Sequence, residues 1–304
     1  MAERFHPPPI VAIFGPTTSG KSAIAAALAE RLGGEVVSAD SAALYAELEI
    51  LSAAPQGEAH LVGVVSLEEN VSVGAYQRLA HRVIDDLLRC EKSPVVSGGT
   101  GLYLRAAIGE ITLPPPATPG SRARLEALYD ELGADAAHAL LQTRDPAAAA
   151  RVHPNDRRRV VRALELAELG SSLAPVTDSL WSNRMRHPTL LVGLELSDAE
   201  LETRVRARLE AMVAQGVVAE AHAAWSRELS STARRVIGLE AFATMAPAEA
   251  QEVTAAATMR LARYQRKWLR RLPVTARLDA ERPTGEIVDE IAALAGARER
   301  LPGR

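Results

Sequence analysis

The octapeptide GPTTSGKS, residues 15–22, lies between the apolar run IVAIF and the alanine-rich run AIAAALAERL. It satisfies G-x-x-x-x-G-K-[ST] at every fixed position. Glycines there let backbone N–H groups converge on phosphate oxygens, and the following helix adds the positive end of its dipole. A strand that turns through such a loop into a helix restricts the chain to an α/β fold with a parallel sheet and crossover helices. Lysine is scarce: only Lys21, Lys92 and Lys267 occur, against a background of arginine. A lysine kept inside the glycine loop suggests that a compact ammonium is needed there. The bland alternative is a chance glycine turn, and the loop alone does not name its ligand.

Further along, Glu35 to Ser38 reads as a second strand, running into Ala39-Asp40-Ser41. Residues 74–89 read as an amphipathic helix, and residues 94–97 as a third strand ending in Gly98-Gly99-Thr100-Gly101. Ligands of such sheets bind at the carboxyl ends of the strands, where all three loops fall. Asp40 can accept a proton or reach a metal through water; as an ordinary turn or cap aspartate it would do neither. Thr100 offers a hydroxyl on a loop whose glycines permit close approach, though a plain strand-to-helix turn reads the same way.

Leu113-Pro114-Pro115-Pro116 breaks the pattern. The next fifty or so residues, 121–170, are helical in character, and TLLVGLEL at 189–196 resumes the sheet. The expected organisation is a P-loop core, residues 1–113 and 187–304, with a helical insertion at 114–186. Helices are expected over 198–271, with VTARLD as a last short strand.

With 304 residues, 47% of them apolar but only 4% aromatic, the core must be built mainly from Ala, Leu and Val. Cys90 is the sole cysteine, which excludes a disulfide framework and a cysteine metal site. No apolar run is long enough for a membrane helix, and Pro7, Pro8 and Pro9 stand where a signal peptide needs an apolar stretch. A cytoplasmic protein without membrane attachment is expected. The net charge of −3 argues against a uniformly basic coat. Two local basic segments nevertheless stand out. HPNDRRRVVR at 153–162 opens a helix, capped by Asn155 or Asp156. Residues 260–277 carry seven basic residues and no acidic one. As a helix, this segment would set Leu261, Tyr264, Trp268 and Leu272 on one face and Arg260, Arg263, Lys267 and Arg270 on another. Each could be an ordinary solvated face; the two together suggest a polyanion such as RNA.

Four markers occur in order: GPTTSGKS, SADS at 38–41, SGGTGLYL at 97–104 and HPNDRRRVVRALE at 153–165. With weaker echoes in LPPPATPGSRARLE, RVIGLEA and QRKWLRR, the chain resembles the tRNA dimethylallyltransferase (isopentenyltransferase) family over roughly residues 10–272. The resemblance implies transfer of a dimethylallyl group from dimethylallyl diphosphate to N6 of adenosine 37 in tRNAs reading U-initial codons. The adenosine would be flipped into the core, the insertion gripping the anticodon stem-loop. By position, Gly15, Pro16, Thr17, Thr18, Ser19, Gly20, Lys21 and Ser22 would hold the diphosphate rather than ATP, with Ser22 on Mg²⁺. Asp40 would take the N6 proton, Thr100 would orient the amine, and Arg235 would face the leaving group. Asp40, Ser41, Ala42 and Ala43, Arg122, and the run Arg158, Arg159, Val160, Val161 and Arg162 match tRNA-contacting positions. A monomer is expected.

The departures lie on the acceptor side. The family's D-S-x-Q-x-Y is here Asp40-Ser41-Ala42-Ala43-Leu44-Tyr45, so the adenine-reading glutamine is Ala43. G-T-A-K-P becomes Leu51-Ser52-Ala53-Ala54-Pro55, without its lysine. The family's H-H-L-I-D appears as Ala59-His60-Leu61-Val62-Gly63, and its G-Y-K-E as Gly238-Leu239-Glu240-Ala241. Losing an amide pair to adenine could cost ~1–3 kcal/mol of base discrimination. A paralogue with another acceptor, a copy that binds without catalysing, a P-loop nucleotide kinase and a non-catalytic RNA-binding protein are the alternatives. ATP consumption without tRNA would mark the kinase.

Overall fold

Ile10–Phe14 (β1) is buried at every position, as expected of a strand covered on both faces of a parallel sheet. The computed structural model describes residues 10–54, 57–174 and 179–299. The N-terminal stretch read above and Pro55 lie outside them. In chain order the elements are β1, α1 (Lys21–Leu32), β2 (Glu35–Ser38), α2 (Glu49–Ser52), β3 (Ala59–His60), α3 (Val73–Arg89), β4 (Pro94–Gly98) and α4 (Gly101–Ile108). Then come α5 (Ser121–Leu132), α6 (Ala134–Arg144), α7 (Pro146–Ala149), α8 (Arg157–Glu168), β5 (Thr189–Glu195) and α9 (Asp198–Gln215). The last are α10 (Val217–Trp225), α11 (Leu239–Thr244), α12 (Pro247–Arg271), β6 (Ala276–Asp279) and α13 (Thr284–Glu299).

Among the described residues the six strands form one sheet in the order β3-β2-β4-β1-β5-β6. Every pairing is parallel. The chain leaves β1 toward β2 on one side and later returns to β5 on the other. That reversal next to β1 is where α/β sheets bind ligands. Val11 and Ile13 join a core with Ile24 and Leu28 of α1, Leu209 of α9 and Ile291 of α13. Ala12 and Phe14 are equally buried, so the sheet is covered on both faces, and α3 and α4 pack against β1, β2 and β4.

The chain divides into two units, residues 1–110 with 180–304, and residues 111–179. From sequence alone the insertion is expected to end at residue 186. Residues 180–186 group with the sheet instead, because the fully buried Arg105 donates to the carbonyls of Leu180 (2.9 Å), Ser182 (3.1 Å) and Arg184 (3.4 Å). Trp181 also meets Trp268, ring centres 4.6 Å apart.

The smaller unit has its own core, including Leu125, Tyr129, Leu141, Val160, Val161 and Leu164. Its helical run is interrupted at Gly133, at φ 78°, and at Asp145, whose side chain caps α7 ahead of Pro146. Of the two proposed caps for α8, Asp156 serves, its carboxylate accepting from the Arg159 amide at 3.2 Å. The buried Glu165 binds Arg122 (2.5 and 2.7 Å) and Arg162 (3.0 Å). Burial pushes its carboxyl up, but the two guanidiniums outweigh that and hold it below the usual range. Glu165→Ala should therefore destabilise the unit by about 1–2 kcal/mol, a value reduced because Arg122 is partly solvated. Urea titration followed by circular dichroism measures it, and an unchanged midpoint would refute it.

Candidate active site

The phosphate loop leaves β1 at Gly15 and passes through Thr18, at φ 62°, and Gly20, at φ 77°, into α1. No side chain caps the first turn of α1, so its leading amides are available to an anion. Lys21 extends back along the loop, its Nζ donating to the Pro16 carbonyl at 3.2 Å. Burial draws its pKa down to about 8; the Asp40 carboxylate works against this and the Arg208 guanidinium adds to it. The loop opens on a cleft of about 530 Å³ lined by Lys21, Ser22, Ile50, Ala54, Arg208 and Met212 among others.

Arg208, on α9, lies outside every motif recognised in the sequence. Its Nη1 donates to the Thr17 hydroxyl at 2.8 Å and its Nη2 to the Ser52 carbonyl at 3.4 Å. Burial pulls its pKa down and Asp40 opposes the shift. Arg235, expected at the leaving group, is exposed at the end of a 3-10 turn (Ala233–Arg235). It forms no hydrogen bond or ion pair with the loop among the described residues. The guanidiniums against the phosphate loop are thus not that of Arg235 but those of Arg208 and of Arg204, whose Nη1 donates to the Thr18 carbonyl at 3.5 Å.

Asp40 follows β2 in an Asx turn, its Oδ1 accepting from the Ala42 amide at 3.0 Å. The turn fixes the carboxylate and leaves Oδ2 with no hydrogen bond among the described residues. Ser41 then meets Thr100: its amide and hydroxyl lie 3.5 and 3.4 Å from the Thr100 Oγ1. Behind Asp40, the Tyr76 hydroxyl donates to the Ser38 carbonyl at 2.9 Å, and its pKa is raised by burial, with Tyr103 and Asp40 adding. Ser97 reaches from β4 to the Lys21 carbonyl at 3.4 Å. These contacts bring the three strand-end loops together. Their approach requires glycine at 98, where an added Cβ would lie 2.2 Å from the Ala39 carbonyl oxygen. Gly98→Ala should lower unfolding free energy by about 1–3 kcal/mol, read as a shifted denaturant midpoint; an unmoved midpoint would contradict this packing.

On the acceptor side, Ala43 is buried and its carbonyl accepts from the Gly63 amide at 2.9 Å. It presents no side chain to a base. Val160 and Val161 are buried in the core of their unit, which corrects their expected place on an RNA-facing surface. Arg122 and Arg162 are held by Glu165, while Arg158 and Arg159 are exposed on the first turn of α8. Of the expected apolar face, Trp268 on α12 and Leu272 just after it are buried, whereas Leu261 is only partly so. Tyr264 is 55% exposed, whereas Ala262, Gln265, Trp268 and Leu269 are buried. Gln265 spans two loops, accepting from the Thr17 amide at 2.8 Å and donating to the Gly99 carbonyl at 2.9 Å. Arg260, Arg263, Lys267 and Arg270 remain exposed.

Among the described residues no group of three or more His, Cys, Asp or Glu side chains could hold a metal ion. A lone serine hydroxyl beside a diphosphate suits Mg²⁺, which keeps waters and takes most ligands from phosphate; Ser22 in the cleft fits that need. No helix among the described residues is long and apolar enough to cross a membrane.

A parallel sheet with a glycine phosphate loop at its switch point, Lys21, Arg204 and Arg208 on the loop and a carboxylate at the end of β2, one strand removed from β1, defines a P-loop enzyme acting on a phosphorylated substrate. The family model for IPP transferase matches residues 43–272, and one for isopentenyl transferase matches residues 8–64. A tRNA dimethylallyltransferase of Salinispora arenicola is 39% identical over 301 residues, 95% of this chain and 87% of the relative. One of Streptomyces coelicolor is 38% identical, covering 88% of each. The crystal structure of the full-length tRNA isopentenylpyrophosphate transferase of Bacillus halodurans, 29% identical, superposes with a TM-score of 0.68 over 96% of this chain and 98% of that one. The chain belongs to the IPP transferase family of prenyl-transferring enzymes.

Proposed function

We propose that this protein transfers the dimethylallyl group of dimethylallyl diphosphate to N6 of adenosine 37, beside the anticodon, in tRNAs reading U-initial codons. The observation that carries this reading is the convergence of Lys21 and Arg208 on one side with Asp40 and Thr100 on the other. The N6 lone pair attacks C1 of the allylic group. The C1–O bond breaks, and its electron pair leaves with the diphosphate. Loop amides, Lys21 and Arg208 stabilise the charge that grows on the leaving group. The N6 proton, acidified as the C–N bond forms, passes to Asp40. Thr100 orients the amine. Mg²⁺, held by Ser22 and the diphosphate, would supply further neutralisation.

The exposed Arg158 and Arg159 and the basic face of α12 suit an RNA backbone. The protein works as a monomer in the cytoplasm on this reading. With Ala43 buried, the adenine is held by other groups, Thr100 and Ser41 among them. The deciding experiment combines purified protein, dimethylallyl diphosphate, Mg²⁺ and unmodified tRNA, with nucleoside mass spectrometry for N6-dimethylallyl-adenosine. Product is the expected result. Diphosphate binding without product would overturn the acceptor assignment, and ATP turnover without tRNA would favour a kinase.

A further inference from the structure

Gln265 is 4% exposed, in the last third of α12, and both ends of its carboxamide are committed to backbone. Oε1 accepts from the Thr17 amide in the phosphate loop; Nε2 donates to the carbonyl of Gly99, the residue before Thr100. The fit is tight, since an added Cβ on Gly99 would lie 2.3 Å from Nε2. Thr17 is fixed from its other side by Arg208, and Thr100 passes the position on to Ser41, next to Asp40. One helical turn beyond Gln265, the Trp268 indole covers Gly101, where an added Cβ would meet Cε3 at 2.3 Å. One rigid helix thereby spans the loop for the leaving group and the loop for the acceptor.

We propose that Gln265 is a positioning residue for prenyl transfer. It sets the separation between the diphosphate loop and the glycine loop, and with it the approach of the allylic carbon to the accepting amine. This rests on the function proposed above. The carboxamide suits the task because one end must accept from an N–H and the other must donate to a C=O. Leucine, of similar size, does neither. An ionised glutamate can accept from Thr17 but repels the Gly99 carbonyl; a protonated one restores the donor. A misplacement of about 1 Å between reacting atoms is worth ~10²-fold in rate.

The test uses the full-length protein with Gln265→Leu and Gln265→Glu. Hydrogen–deuterium exchange is followed in peptides carrying residues 15–22 and 98–104. Single-turnover transfer from dimethylallyl diphosphate to an unmodified anticodon stem-loop is timed, and inorganic pyrophosphate is titrated by calorimetry. Gln265→Leu is expected to speed exchange in both peptides together. It should also lower the single-turnover rate ~10²-fold while pyrophosphate affinity stays within about threefold. Gln265→Glu should regain rate as pH falls from about 8 to about 6, because a buried carboxyl protonates in that range; the wild type lacks this recovery. Exchange that changes in one loop or in neither overturns the proposal, whatever the enzyme's activity. So does a rate loss matched by an equal loss of pyrophosphate affinity. If the leucine variant fails to fold, the glutamate variant decides, and absence of recovery at low pH counts against the bridge. A wild-type protein that transfers no prenyl group sinks the functional reading, and the coupling of the two loops is then judged on the exchange data alone.

Discussion

Asp40→Asn is expected to stop prenyl transfer while the donor side stays as it is. The asparagine oxygen can still accept from the Ala42 amide, so the Asx turn that places residue 40 survives. What disappears is the capacity to take a proton. The exocyclic amine of adenine is barely basic, and its proton becomes acidic only as the new C–N bond forms. Without a base, positive charge must accumulate on the product, which general base catalysis relieves by ~10²–10⁴-fold. Single-turnover assays with mass spectrometry of the nucleoside give the rate, and calorimetry gives pyrophosphate affinity. A rate within about tenfold of the wild type, or a parallel collapse of pyrophosphate binding, would remove Asp40 from its assigned role.

Lys21→Met should weaken pyrophosphate binding and cut transfer by ~10²–10³-fold, the usual effect of losing one preorganised charge at a leaving group. It carries a pH signature as well. In the free protein the ammonium has a pKa of about 8, lowered chiefly by burial. Below that pH it is charged and ready; above it, binding must first take up a proton. Wild-type affinity should therefore fall, relative to Lys21→Met, as pH rises above about 8. The comparison between the two proteins is essential, because pyrophosphate titrates over the same range. Stability shifts in the opposite sense. An unfolded lysine holds its proton up to its ordinary pKa of 10.5, so the cost of a buried ammonium is present below about 8 and is relieved as pH climbs between the two values. Parallel pH profiles for the two proteins would show that Lys21 does not bind as a charge.

What could be read in advance was local in the chain. The phosphate loop carries its glycines, lysine and flanking elements within one continuous stretch, and Asp40 and Thr100 follow strands with recognisable ends. Arg208 and Gln265 were hidden because their partners in the loop lie 191 and 248 positions away. Nothing nearby distinguishes Arg208 from Arg204 and Arg206 on the same helix. Val160 and Val161 illustrate a different failure. A helix turns about 100° per residue, so a continuous run over 158–162 cannot all face one surface, and the apolar pair belongs inward. At the end of α12, where Trp268 and Leu272 are buried as the apolar spacing implies, Gln265 is buried in place of Tyr264 because its amide has backbone partners waiting.

The bridge from α12 to the phosphate loop joins the first strand–loop segment of the chain to one of its last helices. A ribosome releases these two segments far apart in time. Until α12 emerges, β1 has neither its β5 neighbour's covering helix nor the carboxamide that pins Thr17, so a growing chain can hold a partly formed sheet but not a finished site. Contacts of such long sequence separation are paid for in loop closure before they return anything, which slows folding. Competence to react therefore waits on α12: a nascent copy of this protein from which that helix has not yet emerged has no assembled centre with which to act on the tRNAs around it.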